Sequence, residues 1–263
     1  MPALQHNDMT VDLLSPARQQ IHGHAALPVR QAVCRPGTPN KLARVTVPDL
    51  DAAWERALEL AWESFRAGTT PVGAVVVSGS GAIVAQGRGR RYERSGPPGQ
   101  LAGSDIAHAE VNALAQLTAG RPHGDHALLT TLEPCGMCHG AAVQANVGTL
   151  RYAAADPYGG TGGLDFGTPQ SQRHRLTVIG PLDDERGRLA ELLHILWLVT
   201  RPAGPHVLAA QRAGLPELTA LAQRPATREL FRHAADRQLT LTELREILPE
   251  TLAVRPSRLT GPR

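Results

Sequence analysis

Two short pieces constrain this 263-residue chain more than anything else in it: His108-Ala109-Glu110 and Pro134-Cys135-Gly136-Met137-Cys138. A tetrahedral catalytic zinc takes three protein ligands, drawn here from His and Cys, and leaves its fourth position to water. One imidazole and a Cys-x-x-Cys pair supply those three. His108, Cys135 and Cys138 are therefore the candidate metal ligands, and Zn2+ is the expected cofactor. Glu110 is then a carboxylate beside the metal that need not bind it, which is what a proton shuttle requires. The same residues have blander readings: a redox pair of cysteines, a closed structural zinc using His139, His123 or His126, or Glu110 as a solvent-facing helix residue. Against these, no thioredoxin-like context surrounds the cysteines. His139 also directly follows a ligand position and turns back to the same ion only with difficulty.

Charge and cysteine content narrow the setting. A formal net charge of +3 gives no support to polyanion binding by charge alone, although it leaves room for a local basic patch. Lys41 is the sole lysine, so the positive charge is almost all arginine, the flat bidentate donor for carboxylate or phosphate. Three cysteines are too few for a disulfide framework, and Cys34 reads as an unpaired thiol. Thiolate ligation suits a reducing, cytoplasmic setting. There is no apolar signal segment and no run long enough to span a membrane; Leu192 to Val199 is the most apolar stretch and is too short.

In chain order, residues 1–45 mix Pro, Gln, His, Gly and Arg without a period and read as a flexible arm, with His22 and His24 as tail histidines. Pro48 and Asp49 look like a helix start. The stripe Leu50, Ala53, Trp54, Ala57, Leu58, Ala61, Trp62 and Phe65 follows at helical spacing until Gly68. Val72 to Ser78 and Ala82 to Gln86 form a hairpin. Gly87 to Asp105 is a long loop with a basic cluster (Arg88, Arg90, Arg91, Arg94). Ile106 to Leu117 reads as a helix, on which His108 and Glu110 lie about 200° apart in rotation, so both serve one site only if its opening turn meets the metal. Strands follow at Ala127 to Leu132, Thr149 to Ala154 and Leu176 to Ile179. Pro134 is expected in the first turn of a helix carrying both cysteines, and Asp184 to Val199 in a helix bearing Leu189, Leu192, Leu193, Leu196 and Trp197. This order predicts one mixed sheet with helices on both faces. Pro202 and Pro205 interrupt the chain. Beyond them Ala226 to Ala235 and Thr240 to Leu248 are helical patterns, the second opening with a capping box from Thr240 to Glu243. The expected organisation is an arm over 1–45, a metal-binding domain over 46–200 and a small helical appendage over 201–263.

Together Pro71-Val72-Gly73-Ala74-Val75-Val76-Val77, His108-Ala109-Glu110 and Thr131-Leu132-Glu133-Pro134-Cys135-Gly136-Met137-Cys138 resemble the cytidine deaminase-like superfamily, whose zinc nucleobase deaminases carry H-x-E…P-C-x-x-C. The look is nearest its tRNA adenosine deaminase and guanine deaminase branch, over residues 48–199. The resemblance implies a three-layer α/β/α sandwich with a mixed five-stranded sheet, zinc on His108, Cys135 and Cys138, Glu110 as proton shuttle, and hydrolytic deamination of an amino-bearing base. Gly73, Ala74, Arg88, Arg90, Glu133 and Tyr158 are the candidate substrate contacts. One departure stands out: relatives carry an asparagine just after the second strand, and this chain reads Gln86-Gly87-Arg88-Gly89-Arg90 instead. The expected substrate is a small nucleobase, nucleoside, nucleotide or related amino-heterocycle. A tRNA or other polynucleotide deaminase is the close alternative, with the arginine loop keeping RNA open as a partner. A non-enzymatic, zinc-stabilised binding module is the alternative of another class. A homodimer and no membrane partner are expected.

Overall fold

In a computed structural model the apolar stripe of the first helix is buried as its spacing demands. Asp51–Arg66 forms α1, with Ala53, Trp54, Ala57, Leu58, Ala61 and Trp62 all inside. Gly68, at φ +70°, turns the chain out of it by adopting a left-handed conformation that costs glycine little. Residues 50–162, 164–174, 176–201 and 204–248 are described; the N-terminal arm with His22, His24 and Cys34, the Pro48-Asp49 helix start, and residues 249–263 lie outside them.

Strands β1 (Gly73–Val77), β2 (Ile83–Arg88), β3 (Ala127–Leu132), β4 (Thr149–Ala154) and β5 (Thr177–Ile179) make one mixed sheet in the order β2-β1-β3-β4-β5. β1 runs antiparallel to both β2 and β3, whereas β3, β4 and β5 are parallel. Central strands covered on both faces read as unbroken apolar runs. β1 and β3 are accordingly buried at every position, while the edge strand β2 exposes Ile83, Val84 and Gln86.

Two glycines show how closely the helices approach the sheet. Ala74 pairs with Gly87 and Gly73 with Arg88, so Gly73 and Gly87 face opposite sides. A Cβ on Gly73 would lie 2.0 Å from the Ala57 carbonyl oxygen of α1. A Cβ on Gly87 would lie 2.4 Å from the Ala109 carbonyl oxygen and 2.5 Å from the Ala113 nitrogen of α2 (Ala109–Leu114). One helix thus rests on each face, with no room for even a methyl group. α5 (Glu185–Thr200), capped by the Asp184 carboxylate on the Arg186 and Gly187 amides, packs beside α1; α3 (Gly136–Gln144) packs beside α2, and α4 (Pro169–Arg173) lies between β4 and β5. The result is three layers.

Gly87→Ala should therefore push against α2 backbone rather than a movable side chain. The expected cost is about 1–3 kcal/mol, in the range of overpacked cores, together with weaker zinc binding because α2 begins directly after His108. Urea unfolding and a zinc titration check both; a variant as stable and as zinc-avid as wild type would mean the contact relaxes freely.

Pro205, which reads as an interruption, starts a helix, and two later prolines do the same. Pro205, Pro216 and Pro225 occupy the first positions of α6 (Pro205–Gly214), α7 (Pro216–Gln223) and α8 (Pro225–Asp236), where a missing N–H leaves nothing unsatisfied. α9 (Leu241–Ile247) carries the expected capping box, with Thr240 and Glu243 exchanging hydrogen bonds. These helices share the domain's core. Phe231 packs edge-on against Trp62, Leu244 is fully buried, the Trp62 indole donates to the Leu239 carbonyl at 2.7 Å, and Arg245 pairs with Glu55 and Glu185.

Candidate active site

His108 is not on the helix it was expected to ride. It caps α2 in an extended conformation (φ −81°, ψ 154°), and α2 starts one residue later, with Glu110 at its second position. The 200° separation of two helical residues therefore does not apply, and the imidazole and carboxylate reach one point. Cys135 does the same for α3 (φ −74°, ψ 169°), so Pro134 lies before the cap rather than in the first turn. Cys138 follows on that turn, fully buried.

The three donor atoms form a triangle: Cys135 Sγ to Cys138 Sγ 3.7 Å, Cys135 Sγ to His108 Nδ1 3.8 Å, and Cys138 Sγ to His108 Nδ1 3.4 Å. Tetrahedral zinc, with Zn–S about 2.3 Å and Zn–N about 2.0–2.1 Å, requires S···S edges of about 3.8 Å and N···S edges of about 3.6 Å. The donor set thus fits zinc in both chemistry and spacing. Among the described residues, this is the one cluster of three or more such side chains able to hold a metal, and no fourth ligand joins it. His139 is turned away, its Nδ1 3.2 Å from the Thr161 carbonyl oxygen, while His123 and His126 pack on each other. That removes the proposed fourth ligands of a closed site.

The three donors are electrostatically coupled. The Cys135 thiol is drawn down to about 3 by its hydrogen bonds with Cys138 and His108, whereas Cys138 is pushed up by sharing its proton with Cys135 and by burial. His108 is raised, chiefly by its contact with Cys135. The amino end of α3 adds positive potential that favours thiolate. Glu110 is 3% exposed, and burial raises its pKa even though Thr130 donates to Oε1 at 2.9 Å. Its Oε2 lies 3.4 Å from Cys138 Sγ, beside the metal triangle but outside the ligand set.

These groups open into a cavity of about 590 Å³. Of the candidate substrate contacts, Glu133 and Tyr158 line it. The Glu133 carboxylate, however, accepts from the amides of Asp156 and Gly162 at 3.1 and 2.9 Å and so braces the loop after β4. A Cβ on Gly160 would come within 2.5 Å of that carboxylate and one on Gly162 within 2.8 Å, which accounts for glycine at these two positions. Arg88 and Arg90 do not line the cavity: both pair with Glu93, and Arg88 also reaches Glu63. Gly73 is packed against α1, and Ala74, on the opposite face of the sheet with Gly87, is fully buried. The long loop does contribute, through Arg91 and Tyr92; it is braced by buried Asn112, whose side chain bonds Leu101 and the Arg88 carbonyl.

Sequence reasoning missed the far wall, which consists of Asp156, His194, Trp197, Arg201 and Val207. Trp197 stacks on Tyr92 at 6.0 Å, and the Arg201 guanidinium sits 5.9 Å from the same ring. Gln211 of α6 donates to Asp156 Oδ1 at 3.0 Å, tying the helical segment to the wall. Nothing in the local pattern of α5 signalled this role, because Trp197 continues its apolar stripe.

Residues 48–154 match the family described as the cytidine and deoxycytidylate deaminase zinc-binding region. The tRNA-specific adenosine deaminase of Bacillus subtilis is 34% identical over 140 residues, covering 51% of this chain and 81% of that protein. The tRNA(Ile)-lysidine synthase of Deinococcus radiodurans is 40% identical over 148 residues, but that is 55% of this chain and 24% of that one. The riboflavin biosynthesis protein RibD of Mycobacterium tuberculosis is 35% identical over 185 residues, 66% and 45% of the two chains. The chain thus spans about a quarter of the first-named synthase and under half of RibD. With the metal triangle, the buried glutamate and a relative matched over most of its length, the chain belongs to the cytidine deaminase-like superfamily.

Proposed function

We propose that this protein is a zinc-dependent hydrolytic deaminase of a small amino-bearing heterocycle: a nucleobase, nucleoside, nucleotide or relative of these. The observation that carries the reading is Glu110, a buried carboxylate beside, but not within, a three-donor metal triangle. A purely structural site has no use for that arrangement. When bound, zinc supplies the Lewis acidity that makes water a competent nucleophile near pH 7. His108, Cys135 and Cys138 would hold the ion. Glu110 takes a proton from the attacking water and returns it to the ring nitrogen next to the carbon under attack. A second proton passes through Glu110 to the amine, which leaves as ammonia while the ring carbon keeps the oxygen. Thr130 holds the Glu110 carboxylate in the orientation both transfers need.

Ammonia release from the zinc-loaded chain tests this directly, against bases, nucleosides, nucleotides and pterins, with a tRNA arm alongside. Release from one small class supports the reading. Release from tRNA alone would favour the second reading, deamination of an extruded base in a polynucleotide, which the Bacillus relative keeps open. No release from any of them, with zinc bound, would leave the binding-module reading.

A further inference from the structure

A second concavity, of about 520 Å³, adjoins the catalytic cavity on the helical side. Its charged lining is Arg201 at the end of α5, Arg212 on α6 and Arg228 on α8, set against an apolar floor that includes Leu198 and Leu208. Among the described residues, no Asp or Glu lines it. Several arginines elsewhere, among them Arg56, Arg88, Arg90, Arg186 and Arg245, each pair with a carboxylate. The groove arginines do not. None of the three guanidiniums makes an ion pair or hydrogen bond with another described residue, and both carboxylates of α8, Glu229 and Asp236, are taken by Arg232. All three arginines are exposed and line one apolar-floored groove, so a multivalent anion seated there can be held by more than one guanidinium at once. The amino end of α6, at Pro205, opens into the same space and adds to the positive potential.

The groove also shares lining residues with the site of chemistry. Leu198 and Arg201 line both spaces, and Trp197, one residue earlier, forms the cavity wall against Tyr92. We propose that the arginine groove of α5, α6 and α8 binds the phosphoryl end of the substrate while its heterocycle lies at the metal triangle. The substrate is then a phosphate or diphosphate ester of the amino-heterocycle. This rests on the deaminase reading for the heterocycle, but the anion site stands on its own residues. It moves phosphate recognition away from Arg88 and Arg90, which Glu93 neutralises, to arginines that lie well beyond residues 48–154.

The test is calorimetric binding of inorganic pyrophosphate to the full zinc-loaded chain, and to the double variant Arg212→Ala/Arg228→Ala. Arg121→Ala, an exposed arginine on the turn before β3, is the control. Pyrophosphate should bind wild type with an affinity that falls as salt is added. The double variant should lose tenfold or more, with Arg121→Ala unchanged and thermal melts coinciding. On a Glu110→Gln background, where no turnover intervenes, AMP and CMP should bind tenfold or more tighter than adenosine and cytidine, and the double variant should abolish that advantage. No pyrophosphate binding by wild type, or equal binding by the double variant, overturns the groove. Pyrophosphate binding without any nucleotide advantage overturns its assignment to the substrate. Neither arm needs ammonia release, so a failure of the deaminase reading is scored separately.

Discussion

Glu110→Gln is expected to keep its zinc and lose its turnover, with kcat down by about 10²- to 10⁴-fold, the range supplied by a positioned general acid–base. Glutamine preserves the shape of the side chain and can still accept from Thr130, which reaches Oε1 at 2.9 Å in the wild-type chain. What disappears is the capacity to take a proton from water and hand it on. Because Glu110 lies outside the donor triangle, zinc stoichiometry should match wild type when metal analysis is run beside the ammonia assay. A variant that turns over normally would mean another group moves the protons; a variant that loses zinc would place Glu110 among the ligands.

Cys138→Ser should have the opposite signature. The thiol is fully buried and stands 3.7 Å from Cys135 and 3.4 Å from His108, so its loss breaks the triangle at its most enclosed corner. Zinc content should fall from one equivalent toward zero. A ligand present at a hundred times its Kd stabilises the folded state by about 2.7 kcal/mol, so melting should drop by roughly 5–10 °C for a domain of this size. A strong chelator should lower the melting point of wild type by a similar amount and leave the variant almost unmoved. Full zinc occupancy in Cys138→Ser would refute its assignment.

The strands were the most legible part of the fold. β3 and β4 fall at Ala127–Leu132 and Thr149–Ala154, where their β-branched and apolar runs placed them. The metal ligands were legible because four chemically distinct residues fall in one order. Their backbone was not: an imidazole and a thiol at helix caps look, in one dimension, like residues inside the helices that follow. Pro205 reads as a break in the sequence because a proline at a first helical position and one in a linker differ only by what comes after. The arginine loop misled for a related reason. Arg88 and Arg90 look like a free basic cluster until Glu93 and Glu63 fold onto them. The far wall stayed hidden because Asp156, His194, Trp197 and Arg201 meet only after β4 and α5 have packed together, and tertiary neighbours leave no local period.

The claim underneath all of this is a zinc ion held by one imidazole and two sulfurs, with a vertex left for solvent. X-ray absorption at the zinc edge of the loaded protein reads that shell directly. The account predicts two sulfur ligands near 2.3 Å and two light-atom ligands near 2.0–2.1 Å, with imidazole scattering from a single histidine and one light-atom ligand that a small anion can exchange. Four protein ligands, with two imidazoles in the shell or three sulfurs, would contradict it.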